Sequence, residues 1–142
     1  MFPTCGELRG VAQLPSSRIV LVVDGDREVA AMFRRAARDL RLEVAHSATA
    51  DEAWERLLIL RPLAVFTDYR LIGFDGISLL ERVAQHLPSA KRILHTSERV
   101  VGSGQGLDIP VLGKPCDEAS LTELLRSLVS GEAGTAPQAT PS

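Results

Sequence analysis

Short apolar runs alternate along the chain with longer stretches in which apolar positions recur every third or fourth residue. The run 18–23 (RIVLVV) is β-branched and almost wholly apolar, as a strand covered on both faces should be. Residues 27–40 carry Val29, Phe33, Ala36, Ala37 and Leu40 on one stripe, with Arg34, Arg35, Arg38 and Asp39 opposite, which predicts an amphipathic helix. A weaker strand pattern follows at 42–46. Thr49-Ala50-Asp51-Glu52 has the form of a capping box, worth about 1 kcal/mol at the cap. It opens a helix with Ala50, Ala53, Trp54, Leu57 and Leu58 on its apolar stripe, stopped at Arg61-Pro62 because a residue before proline avoids helical geometry. The same reasoning places strands at 63–67, 92–96 and 109–112, and a helix at 77–87 ending before Pro88. A closing helix at 118–129 faces inward through Leu121, Leu124, Leu125, Leu128 and Val129.

Apolar strands alternating with amphipathic helices specify βαβ units, and therefore a parallel sheet with helices on both sides. Five strands and right-handed crossovers predict an α/β, flavodoxin-like doubly wound sheet in the order 2-1-3-4-5. A length of 142 residues fits one domain, and 45% apolar with 24% charged residues fits a chain that buries a core. The flanks read as flexible tails: 1–16 contains Pro3, Gly6, Gly10 and Pro15 without a period, and 131–142 is small, polar and rich in proline and glycine. The expected domain is 17–130. With 16 basic and 18 acidic residues the net charge is −2, so no basic footprint for nucleic acid exists. No apolar run approaches the ~20 residues of a membrane span, and the first residues lack an export signal. Cys5 and Cys116 are too few for a disulfide framework. A cytoplasmic protein without nucleic-acid or membrane partners is expected.

In a doubly wound sheet the ligand site lies beyond the carboxyl ends of the strands. There the sequence has Asp24-Gly25-Asp26 after the first strand, Asp68 after the third, Thr96-Ser97 at the fourth and Gly113-Lys114-Pro115 after the fifth. Any one of these is simply a polar turn residue. Together they bring up to three carboxylates, two hydroxyls and an ammonium to one edge. Two carboxylates ~5 Å apart repel by about 3 kcal/mol at an effective dielectric of ~20, which raises a pKa or recruits a cation. An all-oxygen set suits Mg²⁺, a carboxylate beside it can accept a phosphoryl group, and a lysine and a hydroxyl suit the phosphoryl oxygens.

VVDGD at 22–26, FTDYRLIGFDG at 66–76, ILHTS at 93–97 and GKP at 113–115 make the chain resemble the receiver domain of two-component response regulators, over about 18–129. The resemblance implies that Asp68 is the phosphoacceptor and that its loop closes on Asp75-Gly76. It gives Thr96 and Lys114 the task of engaging the phosphoryl oxygens, with Lys114 before a cis Pro115. Mg²⁺ would be held by Asp24, Asp68 and the backbone carbonyl of Arg70. The implied partners are a histidine kinase or phosphotransfer protein and a downstream protein reached by direct contact, with no output domain on the chain.

Three positions depart from the family pattern. Gly25 stands where a second acid normally binds the metal directly, which lowers the expected Mg²⁺ affinity; Asp26 is the nearest substitute, one residue displaced. Leu71-Ile72 replaces the usual Met-Pro of the acceptor loop. The interval from Thr96 to Lys114 is short and contains Gly102, Gly104 and Gly106, so the helix between strands four and five is expected to be short or missing. The fifth strand also lacks the family's aromatic switch residue. Two other readings follow: a pseudo-receiver that binds partners without phosphorylation, favoured by Gly25, and a phosphohydrolase built on Asp24-Gly25-Asp26. The receiver reading predicts a signalling module and no enzyme. Of the remaining chemistry-bearing residues, His46, His86 and His95 lack ligand spacing, with His95 at the edge of the site. Trp54 reads as core. Cys116, close to a helix start, reads as a half-buried thiol with reactivity as the sharper alternative.

Overall fold

The computed structural model describes residues 18–97 and 109–130. In these residues five strands, β1 (Ile19–Val23), β2 (Glu43–Ser47), β3 (Ala64–Thr67), β4 (Lys91–Thr96) and β5 (Val111–Gly113), form one parallel sheet in the order β2-β1-β3-β4-β5. Helices α1 (Arg27–Ala36), α2 (Ala50–Leu60), α3 (Gly76–His86) and α4 (Glu118–Ser130) flank it. This is the predicted α/β, flavodoxin-like doubly wound sheet. The expected tails, and the expected loss of a helix between the last two strands, fall on segments outside the described residues.

Strand alternation divides the core into two layers, because successive side chains point to opposite faces. Val20 and Val22 of β1, Phe66 of β3 and Ile93 of β4 join Phe33 of α1 and Leu121, Leu124, Leu125 and Leu128 of α4. Leu21, Val23, Val65 and Leu94 join Ala53 and Leu57 of α2 and Leu79, Leu80 and Val83 of α3. β1 and β3, central in the sheet, are almost wholly buried, which is why their sequences are continuous apolar runs. Trp54 is half-buried: it packs on the second layer, edge-on to His86 with the Arg82 guanidinium 5.7 Å from its ring.

The ends of the elements differ from expectation in instructive ways. α1 stops at Ala36 rather than running to 40; a single 3-10 turn (Arg38–Leu40) and a left-handed Arg41 turn the chain back toward β2. Arg18 holds that turn, donating from Nε to the Arg41 carbonyl and from Nη2 to the Leu40 carbonyl, both at 2.9 Å. The cap forms, with its return bond shifted by one residue: Glu52 N–H donates to Thr49 Oγ1 at 3.2 Å, and Glu52 Oε1 accepts from the N–H of Ala48, just before the cap, at 3.1 Å. α2 ends where Pro62 requires, through a left-handed Arg61 whose N–H reaches the Leu57 carbonyl. α3 begins one residue early, at Gly76, because Asp75 caps it by accepting from Ser78 N–H. β5 begins at Val111 rather than 109; Pro110 has no N–H to give and contributes its carbonyl to Leu94.

Candidate functional site

The carboxyl ends of β1, β3, β4 and β5 meet at one edge, as the parallel topology requires. Asp24 follows Val23 and is 3% exposed. Two backbone donations fix the turn it opens: Asp24 N–H to the Ser47 carbonyl, and Asp26 N–H to Asp24 Oδ1 at 2.9 Å. Asp68 follows Thr67 and accepts from Tyr69 N–H on Oδ1 at 2.8 Å, while its own N–H bonds the Val23 carbonyl. Both turns therefore hang on neighbouring strands.

Lys114 joins the two carboxylates. Its ammonium donates to Asp24 Oδ2 at 2.7 Å and lies 3.4 Å from Asp68 Oδ2. Burial alone would depress the Lys114 pKa, but the hydrogen bond and charge of Asp24, with Asp68 behind them, outweigh it and hold the ammonium above its ordinary value. The peptide bond between Lys114 and Pro115 is cis, and Lys114 N–H bonds the Thr96 carbonyl. That bond ties β5 to the end of β4 beside the site. Thr96 is buried at the end of β4.

The other predicted residues divide. Asp26 is not turned to the carboxylate pair: its Oδ1 caps α1, accepting from Glu28 N–H at 2.9 Å. The Asp24-Gly25-Asp26 pairing that a phosphohydrolase reading needs is thus engaged in a turn and a helix cap. Arg70 is exposed in the loop that follows Asp68. That loop is closed by Gly76 N–H on the Tyr69 carbonyl at 2.8 Å and tied to α2 by Ala50 N–H on the Ile72 carbonyl at 3.1 Å. The Cys116 thiol is pushed up by burial and by Asp117, opposite to the lowered pKa that a reactive cysteine near a helix start would have.

The contacts of His46 and Arg56 escaped the sequence, while Gly76 and His95, both named from it, take roles it did not specify. His46 Nε2 lies 2.7 Å from the Asp24 carbonyl, and Arg56 steadies the end of β2 by donating to the His46 carbonyl at 2.6 Å and to Ser47 Oγ at 3.0 Å. Gly76 is required by contact, since a Cβ there would fall 2.0 Å from the Asp68 carbonyl oxygen. The Asp-Gly step was the available signal for it. His95, 2% exposed beneath the site, packs edge-on against Phe33. Burial first, then the Lys114 charge, lower its pKa to about 4 against the pull of Asp24 and Asp68, so the ring is neutral.

The family description of the response regulator receiver domain matches residues 20–126. The chain belongs to that family. Among solved structures it is similar to a receiver domain protein from Methanospirillum hungatei JF-1, described as CheY-like, at 22% identity over 84% of this chain and 99% of that one, TM-score 0.71. It is also similar to the signal receiver domain of an HD domain-containing protein from Pseudomonas fluorescens Pf-5, at 24% identity over 82% and 89%, TM-score 0.71. A third is the isolated REC domain of RcsB from Salmonella enterica serovar Typhimurium, in the presence of the phosphomimetic BeF3⁻, at 21% identity over 82% and 91%, TM-score 0.70. No curated protein sequence matches the chain. No helix among the described residues is long and apolar enough to cross a membrane.

Receiver domains typically bind Mg²⁺, and the donors here can be tested against it. Among the described residues no three acidic, histidine or cysteine side chains converge on one point. Two carboxylates do converge, and each presents an Oδ2 to a single ammonium. Where one cation is held by two carboxylates, a hard divalent cation meets the same oxygens. The set fits Mg²⁺ as a two-carboxylate site, one acid poorer than the family's usual three.

Proposed function

We propose that this receiver accepts a phosphoryl group on Asp68 from a histidine kinase or phosphotransfer protein, and signals by contact with a downstream protein. The observation that carries this reading is the Lys114 ammonium drawn to both Asp24 and Asp68. In the transfer, the P–N bond of a phosphohistidine breaks as a bond forms between phosphorus and a carboxylate oxygen of Asp68, and the freed imidazole takes up a proton. Asp68 Oδ1 is held by Tyr69 N–H, so Oδ2, which faces the Lys114 ammonium at 3.4 Å, is the oxygen that would attack as Lys114 shifts away from it. Lys114 then follows the charge onto the phosphoryl oxygens, with the Thr96 hydroxyl as donor. Asp24, Asp68 and the Arg70 carbonyl would hold Mg²⁺, which supplies charge neutralisation of the phosphoryl oxygens. The solved receiver that accompanies BeF3⁻ supports this chemistry for the fold.

Acetyl phosphate with Mg²⁺ should add one phosphoryl group to the wild type and none to Asp68→Asn, read by intact mass. An unlabelled wild type at tens of millimolar Mg²⁺ would favour the second reading, a pseudo-receiver that binds partners without phosphorylation. The observation behind that reading is Gly25, which leaves the carboxylate pair without its third acid.

A further inference from the structure

We infer that the amino-terminal edge of the sheet, opposite Asp68, docks on an anionic lipid surface. The chain enters its strands along this edge, and strand pairing sets the entry residues side by side. Ile19 is level with Glu43, Leu63 N–H reaches the Ile19 carbonyl, and Lys91 N–H reaches the Leu63 carbonyl. Arg18, Arg38, Arg41, Arg61 and Lys91 lie there, all exposed, with Asp39 and Glu43 as the acids. Arg18 sits on the turn that carries Arg41, donating to the carbonyls of Leu40 and Arg41 at 2.9 Å. Carbonyls leave its charge uncancelled. Among the described residues no carboxylate forms an ion pair with Arg18, Arg38, Arg41 or Lys91. The net charge of −2 conceals this edge because acids gather at the other one, where Asp26 and Asp75 cap helices and Glu28, Asp51 and Glu52 occupy first turns.

Two further observations select the partner. Among the described residues, the non-glycine residues in the left-handed region are Arg41 (φ 60°) and Arg61 (φ 46°), both at this edge. Glycine is what that backbone favours, so conformation does not account for arginine, whose planar fork suits phosphate oxygens. Ile59 is 81% exposed and Leu58 48%, on the last turn of α2 and next to Arg61 in the chain. Cations beside bare aliphatic side chains fit an anionic bilayer: headgroup phosphates meet the charge, and the aliphatic groups enter the acyl boundary. A nucleic acid would leave Ile59 without an apolar contact, and no aromatic residue stands among the described residues of this edge to stack on a base. An acidic peptide is a line of charge, whereas these cations cross β2, β1, β3 and β4, roughly 15 Å at the usual strand spacing. Docked this way, the molecule turns Asp68 and its acidic edge toward solvent. Binding of this kind needs no phosphoryl group on Asp68.

Co-sedimentation of the full chain with vesicles tests this, comparing phosphatidylcholine alone with the same lipid carrying about one-third phosphatidylglycerol. The chain should sediment with the anionic vesicles only, and raising the salt from about 0.05 to 0.5 M should weaken binding several-fold. Arg38→Gln/Arg41→Gln should weaken it about tenfold or more, and Ile59→Ser roughly threefold. Arg27→Glu removes the same charge from the opposite edge, a strand length of about 17 Å away against a Debye length of ~8 Å, and should stay within about twofold of wild type. All four positions are exposed. Should a variant misfold, the wild-type comparison of the two vesicles and its salt dependence decide alone. Absent binding to anionic vesicles, equal binding to phosphatidylcholine, or an undiminished affinity in Arg38→Gln/Arg41→Gln each overturns the proposal. So does a loss in Arg27→Glu as large as in that pair, or binding of duplex DNA or poly-glutamate as tight as binding of the vesicles.

Discussion

Two glycines flank the carboxylate pair, and their surroundings are opposites. A Cβ on Gly76 would fall 2.0 Å from the carbonyl oxygen and 2.9 Å from the carbonyl carbon of Asp68, a backbone contact that no rotamer change relieves. A Cβ on Gly25 would meet nothing within 4 Å. Glycine at 76 follows from packing: the loop after Asp68 must fold back tightly enough for Gly76 N–H to reach the Tyr69 carbonyl, and only a residue without a Cβ fits. Packing sets no such demand at 25. There Asp24 and Asp68 share the Lys114 ammonium with no acid at 25 beside them. Packing demands glycine at 76 and leaves 25 open to a side chain.

The largest effect should come from the crowded side. Gly76→Ala should cost more than about 3 kcal/mol, because backbone must move to admit the methyl group; urea unfolding measures it, and a cost below 1 kcal/mol would break the contrast. His95, buried beside the same edge, sets the next. Its folded pKa of about 4 lies below the unfolded value of 6.5, so between those pH values the unfolded chain binds a proton that the native chain refuses. Stability present above pH 6.5 should therefore fall by about 3 kcal/mol as the pH drops toward 4. His95→Phe should flatten the midpoint-against-pH curve in that window, and an unchanged slope would assign the acid sensitivity elsewhere. On the open side, Gly25→Asp should tighten Mg²⁺ binding by about tenfold or more, read by calorimetry. An unchanged affinity would mean that the missing acid is not what limits the site. Gly25→Ala, the smallest change, should stay within about 0.5 kcal/mol of wild type, since the methyl group enters open space.

What the sequence disclosed follows the range of the forces involved. The two-layer core was legible because alternation is local: Val20 and Val22 face one layer, Leu21 and Val23 the other, and the runs 18–23 and 63–67 display that doubly covered pattern directly. Capping is equally local, so Thr49 and Glu52 marked the start of α2. The end of α1 was misjudged because Arg18, more than twenty residues away, holds the 3-10 turn that cuts the helix short. The site repeats the lesson. Strand ends told which residues gather at one edge, but not that Lys114 draws closer to Asp24 than to Asp68, nor that His46 reaches the Asp24 carbonyl. Asp26 was a candidate ligand by proximity in sequence, and the local preference of aspartate for a helix N-cap claimed it instead.

The central claim is that Asp68 is poised to carry a phosphoryl group with Lys114 as its charge partner. A crystal soaked in Mg²⁺ and beryllofluoride tests it most directly. The account predicts density joined to the Asp68 carboxylate, with the Lys114 ammonium moved from Asp24 onto the fluorides. Bare Asp68 at saturating beryllofluoride and tens of millimolar Mg²⁺, with Lys114 still resting on Asp24, would contradict it.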